Sequence, residues 1–184
     1  MLRQYSWINQ SPAGITDDIW CVTYANETFV AVTGKGKLLT SVDGYTWSVQ
    51  SLTQNVWLVS IAYGGGLWVA VGDNGTILYS ADLKTWLNAR AVTPIRLNGV
   101  AYTGSTFIAV GEQGVIATSS DAQNWTLQTS GVTTFLHGIA VIEGSELTPK
   151  TIFASGGANL LVSADEGKTW RASGGSYSSS LNSK

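Results

Sequence analysis

The chain has 184 residues, of which 44% are hydrophobic and only 12% are charged, and its formal net charge is -2 at pH 7. This length suits one domain, and the low charge argues against an electrostatic nucleic-acid binder, which needs a basic face. No apolar run approaches the roughly 18 residues of a membrane helix, so membrane insertion is not expected. A single cysteine, Cys21, excludes an intrachain disulfide framework and a cysteine zinc site.

A seven-residue motif dominates the chain because it recurs at a fixed spacing. It reads Ser-Val-Asp-Gly-Tyr-Thr-Trp at 41–47 and returns at 80–86 and 119–125, each time 39 residues later. A fourth copy at 163–170 is one residue longer. A period in this range predicts a solenoid, a propeller or an array of small units.

Each repeat contains four short predicted strands in the same order. The first three are continuous runs of apolar, β-branched and aromatic residues, which predict strands buried on both faces. The fourth begins at the Trp of the motif and alternates polar and apolar residues, as an outer strand with one wet face does. In chain order, the first strands are predicted at 21–24, 60–63, 99–102 and 138–141, the second at 29–32, 68–71, 107–110 and 152–155, the third at 38–40, 77–79, 115–117 and 160–162, and the fourth at 47–50, 86–89, 125–128 and 170–172.

Four antiparallel strands in a repeat of about 40 residues predict an all-β fold, a β-propeller of four four-stranded blades. Asn74-Gly75 lies between the second and third strands of the second repeat and favours a type I′ turn, because both residues accept a positive φ. The fourth repeat carries extra residues, which we place in a loop over 142–150 between its first two strands. Surface loops accept such insertions at little cost in stability.

The two ends of the chain differ from the repeats. Residues 5–10 match the outer-strand pattern, with Trp7 lying 40 residues before Trp47, and they predict an extra N-terminal outer strand. We expect either that this strand joins the last blade beside Trp170, or that the chain is one piece of a larger ring. Residues 1–172 are therefore predicted as one domain, and residues 173–184 as a flexible Gly/Ser-rich tail.

The motif Ser-x-Asp-x-(Gly)-x-Thr-Trp resembles the Asp-box, also called the BNR repeat, of sialidases and many other propellers. The longer pattern from Phe29 through Trp47 is similar to the repeats of photosystem II assembly-factor-like propellers. Similar repeats occur in phage virion proteins and bacterial surface proteins. The resemblance spans residues 5–172 and implies a propeller fold and a place in a virion or on a cell surface. Residues 1–7 lack the apolar stretch of a secretory signal, so no such signal is expected.

The motif residues are predicted to be structural. The Ser and Asp side chains accept hydrogen bonds from backbone N–H groups of the turn, and each Trp ring packs between blades, where burial contributes about 2–3 kcal/mol. The alternative is that the carboxylates bind a metal or act as catalytic acids, but copies spaced around a ring cannot converge on one substrate. We therefore predict no metal and no cofactor. The residues are Ser41, Asp43, Trp47, Ser80, Asp82, Trp86, Ser119, Asp121, Trp125, Ser163, Asp165 and Trp170.

The positions that vary between repeats predict a binding surface. They lie at the opposite end of the strands from the motif, before each first strand and in the turns between second and third strands. Trp20 and Trp57 have flat rings that suit stacking on a sugar, and the alternative role is core filling. The single histidine, His137, is a candidate base, with polar packing as the simpler role. The candidate ligand-binding residues are Asp18, Trp20, Trp57, Asp73, Asn74, Arg96, Glu112 and His137.

Four functions fit this surface, the fourth being an assembly factor for a photosynthetic complex. The first is a non-enzymatic module that docks a protein or a glycan within a phage particle or a bacterial surface assembly. The second is a lectin-like carbohydrate-binding protein. The third is a sialidase-like glycoside hydrolase, but of the three arginines which that mechanism needs only Arg96 lies on this face, and Asp73 with Glu112 is the acid pair left for a generic glycosidase. We therefore predict no catalytic residue, a protein or glycan partner, and no nucleic-acid partner; self-association stays open.

Overall fold

The 39-residue repeat folds into one antiparallel sheet per repeat. The computed structural model describes residues 12, 15–54, 56–145 and 149–173, and in them four four-stranded sheets each use four consecutive strands in chain order. This is the arrangement of propeller blades, so the predicted all-β fold with four blades is confirmed. The predicted N-terminal strand at 5–10 and residues 174–184 of the predicted tail lie outside the described residues. No helix in the described part is long and apolar enough to cross a membrane.

The sixteen strands are numbered in chain order, four to a blade. Blade I contains β1 (Ile19–Ala25), β2 (Thr28–Thr33), β3 (Lys37–Ser41) and β4 (Ser48–Ser51). Blade II contains β5 (Leu58–Gly64), β6 (Leu67–Gly72), β7 (Ile77–Ser80) and β8 (Leu87–Asn88). Blade III contains β9 (Leu97–Tyr102), β10 (Phe107–Gly111), β11 (Ile116–Ser119) and β12 (Thr126–Gln128). Blade IV contains β13 (Gly138–Ile142), β14 (Thr151–Gly156), β15 (Asn159–Ser163) and β16 (Arg171–Ala172).

The turns between second and third strands follow the local sequence. In blade II, Asn74 and Gly75 have φ angles of 54° and 66°, and the Thr76 N–H donates to the Asp73 carbonyl at 3.0 Å. This is the type I′ geometry that Asn-Gly favours. Blade III has the same turn, with Gln113 and Gly114 at φ angles of 54° and 72°. The described residues contain no α-helix, in agreement with the sequence.

The core consists of three apolar clusters, one between each pair of consecutive blades. In the first cluster, Val30 and Leu38 of blade I pack with Ile61 and Trp68 of blade II, and all four are buried. The same arrangement recurs between blades II and III and between blades III and IV. Blades II and III therefore bury one face of their sheets against the blade before and the other against the blade after, whereas blades I and IV each bury one face in this way.

The first strand of blade I departs from the prediction. We expected the first strands to be buried on both faces, but 59% of Val22 in β1 is exposed, whereas Ile61, its equivalent in β5, is 3% exposed. Ile19 and Tyr24 on β1 are also exposed. The physical reason is that no blade precedes blade I in the described part of the chain, so the side chains facing that direction have nothing to pack against.

Blade IV carries the extra residues of its repeat between β13 and β14, over 143–150, as the sequence indicates. Lys150 at the end of this loop lies 3.3 Å from the Glu166 carboxylate, and both side chains contact Thr103 in blade III. The loop therefore adds a polar contact between blades III and IV to the apolar cluster that they share.

The Ser-Asp turns, which join β3 to β4 and the equivalent strands of the other blades, are closed by side chains. In blade I, the Asp43 carboxylate accepts hydrogen bonds from the Tyr45 and Thr46 N–H groups at 2.8 and 2.7 Å. Ser41 Oγ accepts from the Gly44 N–H at 2.9 Å and donates to Asp43, while Trp47 Nε1 donates to the Gly44 carbonyl at 3.2 Å. The other three blades repeat the Ser–Asp, Asp–backbone and Trp–carbonyl bonds.

These bonds stabilise the ionised form of the motif carboxylates. The backbone N–H groups of Thr46 and Tyr45, with the Ser41 hydroxyl, lower the pKa of Asp43 to about 2. Backbone N–H groups from Thr85 and Lys84 likewise hold the pKa of Asp82 below its ordinary value. Among the described residues, no three His, Cys, Asp or Glu side chains come together in a way that could hold a metal ion.

Loss of a motif serine should destabilise the fold. In Ser119→Ala, the Asp121 carboxylate loses a hydroxyl donor at 3.0 Å and the Asp121 N–H loses its acceptor, and because Ser119 is buried we expect about 1–3 kcal/mol less free energy of unfolding. Urea denaturation measures this difference. The adjacent Ser120 is exposed, so Ser120→Ala is the matched control and should stay within about 0.5 kcal/mol of the unchanged chain. Equal losses in both variants would contradict the structural role of the buried serine.

Stability should fall in acid because the motif carboxylates have lower pKa values folded than unfolded. The contribution is present above the unfolded aspartate pKa of about 3.9 and is lost as the pH falls through the folded value, about 2 for Asp43. We therefore expect the urea midpoint to be level above about pH 5 and to drop between about pH 4 and 2. In Asp43→Asn the drop should be shallower, whereas Asp18→Asn, outside the turns, should keep it. An unchanged drop in Asp43→Asn would contradict this account.

Candidate functional site

The end of the sheets opposite the Ser-Asp turns carries the side chains that differ between repeats. We call it the variable face and define it as the connections before β1, β5, β9 and β13 and the first two residues of these strands, together with the turns after β2, β6, β10 and β14. Because successive strands are antiparallel, these two sets of segments lie at the same end of every blade.

Backbone hydrogen bonds hold the connections of blades I, II and III against the turns of their own blades. The Asp73 N–H donates to the Trp57 carbonyl at 3.0 Å, and the Glu112 N–H donates to the Arg96 carbonyl at 3.0 Å. The preceding glycine is required by this close approach, since a Cβ on Gly72 would lie 1.8 Å from the Trp57 carbonyl oxygen. The same backbone geometry therefore recurs in these blades and presents a different side chain from each of them.

Four of the predicted residues come together across blades I to III. The Trp20 and Trp57 rings have centroids 6.0 Å apart and are tilted by 51°. The Arg96 guanidinium lies 5.8 Å from the Trp20 ring centroid, a cation–π distance, and its Nε lies 3.2 Å from the Asp73 carboxylate. We call Trp20, Trp57, Asp73 and Arg96 the aromatic cluster. Both Trp residues are exposed, so the rings do not serve as core filling.

A cleft of about 340 Å³ opens beside the aromatic cluster. Trp57 and Asp73 form one part of its wall, and the predicted residue Asn74 also lines it. The remaining lining residues are Gly34, Lys35, Val56 and Thr76. A shallow cleft with one aromatic ring, one cation and several polar groups suits an extended chain or a sugar better than a buried cofactor.

The sequence analysis singled out Asp18 and missed its neighbour. Asp17 is almost completely buried, with 2% of its side chain exposed, and its carboxylate lies 3.0 Å from Lys35 Nζ and 2.9 Å from Lys37 Nζ. The hydrogen bonds from Lys37 and Lys35 lower the pKa of Asp17. Asp18 has an exposed side chain, and its carbonyl accepts from the Gly34 N–H at 3.1 Å. Lys35 and Lys37 lie in one turn of the same repeat, and this pair of cations is the sequence signal from which a buried acid could have been predicted.

The other predicted residues do not join the aromatic cluster. Glu112 is exposed and is connected to the cluster through its backbone bond to Arg96. His137 lies in blade IV, where its ring packs against Phe135 with centroids 4.8 Å apart. The His137 side chain is exposed, and its backbone N–H donates to the Ser155 carbonyl at 2.7 Å. The variable face thus presents one aromatic cluster over blades I–III and a separate aromatic pair on blade IV.

Comparison with solved structures identifies the same fold in longer proteins. The chain is similar to the RRP9 WD40 repeats, with a TM-score of 0.71 and 11% identity over 86% of this chain and 52% of that one. It is similar to YCF48 bound to D1 peptide, with a TM-score of 0.61 and 19% identity over 92% of this chain and 57% of that one. A GH74 enzyme of Niastella koreensis matches with a TM-score of 0.62 and 21% identity, over 84% of this chain and 24% of the enzyme.

These similarities concern the propeller fold. No family model matches the chain, and no curated protein matches it. The chain spans about half the length of the first solved structures it matches, because it covers 52% of the U3-55K structure and 52% of the RRP9 repeats.

The aromatic cluster depends on the lack of a side chain at Gly34. A Cβ there would lie 2.8 Å from Trp57 Cε2 and 3.0 Å from Trp20 Nε1, so Gly34→Ala should push the rings apart. The coupled indole transitions of the Trp pair should then give a weaker far-ultraviolet circular dichroism couplet. In the control Gly138→Ala, the new Cβ meets Ser155 Oγ at 2.7 Å, and the couplet should persist. A couplet unchanged by Gly34→Ala would contradict the placement of the two rings.

Proposed function

We propose that the chain is a non-enzymatic interaction module that docks a segment of a partner protein on its variable face. The observation that carries this proposal is the aromatic cluster, in which the exposed rings of Trp20 and Trp57 lie 6.0 Å apart, Arg96 lies over the Trp20 ring, and Trp57 lines a cleft of about 340 Å³. Trp and Arg are the residue types that contribute most to protein–protein affinity. A rigid sheet edge that holds them in place loses little entropy when a partner binds.

An extended peptide fits the chemistry of this surface. Lys35 is exposed at the cleft and shares the single Asp17 carboxylate with Lys37, whereas Asp73 is half-buried and paired with Arg96, so these groups together carry a net positive charge. We therefore infer a partner segment that contributes an aromatic or aliphatic side chain to the cleft and an acidic side chain to Lys35. One structural neighbour is described as bound to a D1 peptide, which supports peptide docking as a use of this fold.

We also propose a class for the repeat, bounds for the module and the kind of assembly that it joins. The four Ser-Asp turns support the Asp-box class of repeat, and residues 1–172 form the module with residues 173–184 as a linker. The resemblance to repeats of phage virion and bacterial surface proteins favours a partner within such an assembly.

A glycan is the second candidate ligand, favoured by the geometry of the two exposed indole rings. Rings 6.0 Å apart and tilted by 51° form an open angle against which a sugar face can stack. Hydrolysis is not proposed, because Arg96 pairs with Asp73, one of the two carboxylates that a glycosidase reading would use.

Selection from a displayed library of random peptides tests the module directly. Peptides enriched on the unchanged chain should bind about five- to tenfold more weakly to Trp57→Ala and to Arg96→Ala, because truncation of an interface hot spot costs more than about 1 kcal/mol. Leu127→Ala is the matched control, since Leu127 is exposed on the outer strand β12 and away from the variable face. Its affinity should not change.

The same variants on a glycan array separate the two candidates. Binding to a glycan that is lost in Trp57→Ala, without any enriched peptide, would replace the protein partner with a carbohydrate. Ligands of either kind that bind all three variants equally would overturn the assignment of the site to the aromatic cluster.

A further inference from the structure

Within the described part of the chain, blades I and IV each leave one sheet face uncovered, and the two uncovered faces are different. β1, β5, β9 and β13 pack side by side in chain order, and no extensive packing joins β13 back to β1 among the described residues. The four blades therefore form an arc rather than a closed ring. The first end face belongs to blade I and points where a preceding blade would lie. The second belongs to blade IV and points where a following blade would lie.

The first end face carries the side chains that the other blades bury against their predecessors. Val22, at 59% exposed, is equivalent to the buried Ile61 and Val100. Ile19 is exposed, although its equivalents Leu58 and Leu97 are fully buried. Blade I thus has the apolar side chains that pack against a preceding blade, but it has no preceding blade among the described residues.

The second end face carries the side chains that the other blades bury against the blade that follows them. Leu160 on β15 is 44% exposed, although its equivalents Leu38 and Ile116 are 0% exposed within the clusters that follow blades I and III. Ile142 at the end of β13 is exposed as well. Apolar side chains that are exposed together on one face of a sheet favour association with another apolar surface.

The internal boundaries show how the two halves fit. Leu38 of blade I packs in one cluster with Leu58 and Ile61 of blade II, and all three are buried. The equivalent residues at the ends of the arc are Leu160 in blade IV and Ile19 and Val22 in blade I, and all three are exposed. Repetition of the same step beyond blade IV therefore places Ile19 and Val22 of a following blade against Leu160.

We propose that two copies of this chain join head to tail, blade IV of each on blade I of the other, into a closed ring of eight blades. The interface is continuous with the three interfaces inside the chain and uses equivalent residues. The match covers 52% of the U3-55K structure and of the RRP9 repeats, so two arcs together have about the length of one such propeller. Eight blades lie within the usual range of about four to eight, and a two-fold axis gives both contacts at once.

Light scattering coupled to size exclusion tests the closed dimer. The unchanged chain at tens of micromolar should have the mass of two chains. Val22→Asp and Leu160→Asp should each have the mass of one chain, because each places a carboxylate in both copies of the interface. Leu127→Asp, on an outer strand outside the end faces, should remain a dimer. Circular dichroism verifies that the variants are folded.

Mixing the two variants distinguishes a head-to-tail contact from any other dimer. The Val22→Asp chain keeps an intact second end face, and the Leu160→Asp chain keeps an intact first end face, so an equimolar mixture should recover a two-chain species through one intact interface. A monomeric unchanged chain, an open polymer, or a dimer insensitive to either variant would overturn the proposal. A dimer broken by one variant alone would do the same, since it would join like faces.

Discussion

Each blade depends on its neighbours, because a four-stranded sheet has two faces and can bury both only between two other sheets. Because each boundary needs the same set of apolar residues, the sequence repeats with a period of 39 residues. At the first boundary, this set consists of Val30 and Leu38 on one side and Ile61 and Trp68 on the other. Each Å² of apolar surface that is buried contributes about 25 cal/mol of stabilisation, so these boundaries are the main source of stability. The turns, the variable face and the end faces all take their positions from them.

Much of the fold could be predicted from the sequence, because the features that set it are local and repeated. Asn74-Gly75 indicates its turn, and each Ser-x-Asp motif indicates the loop after it, since one side chain bonds backbone groups only two or three residues away. The exposure of Val22 could not be predicted in the same way. Its residue type is right for a buried strand, and its environment depends on whether another blade precedes it, which no local pattern records.

The candidate site was predictable as a surface but not as a set of contacts. Comparison of equivalent positions identified Trp57 and Arg96, because a regular scaffold makes departures visible. The pairing of Arg96 with both Trp20 and Asp73 depends on distances between three blades. The selection of Asp17 rather than Asp18 for the lysine pair depends on which of two adjacent side chains points inward. Tertiary packing determines these contacts, so they cannot be predicted from local sequence patterns.

The contact of Lys150 and Glu166 with Thr103 gives the last blade a second attachment to its neighbour. Repeat proteins open from their ends, since a terminal unit has one stabilising boundary and an internal unit has two. In a free chain, blade I adds to its apolar boundary only neutral hydrogen bonds, from the Gln50 and Gln54 amides to the Lys84 and Trp86 carbonyls of blade II. Blade IV adds an ion pair and charge-assisted hydrogen bonds, which are stronger. Backbone amides of β2 and β3 should thus exchange with solvent deuterium sooner than those of β14 and β15. The arc would lose its order from the first blade inward, with the last blade among the later parts to open.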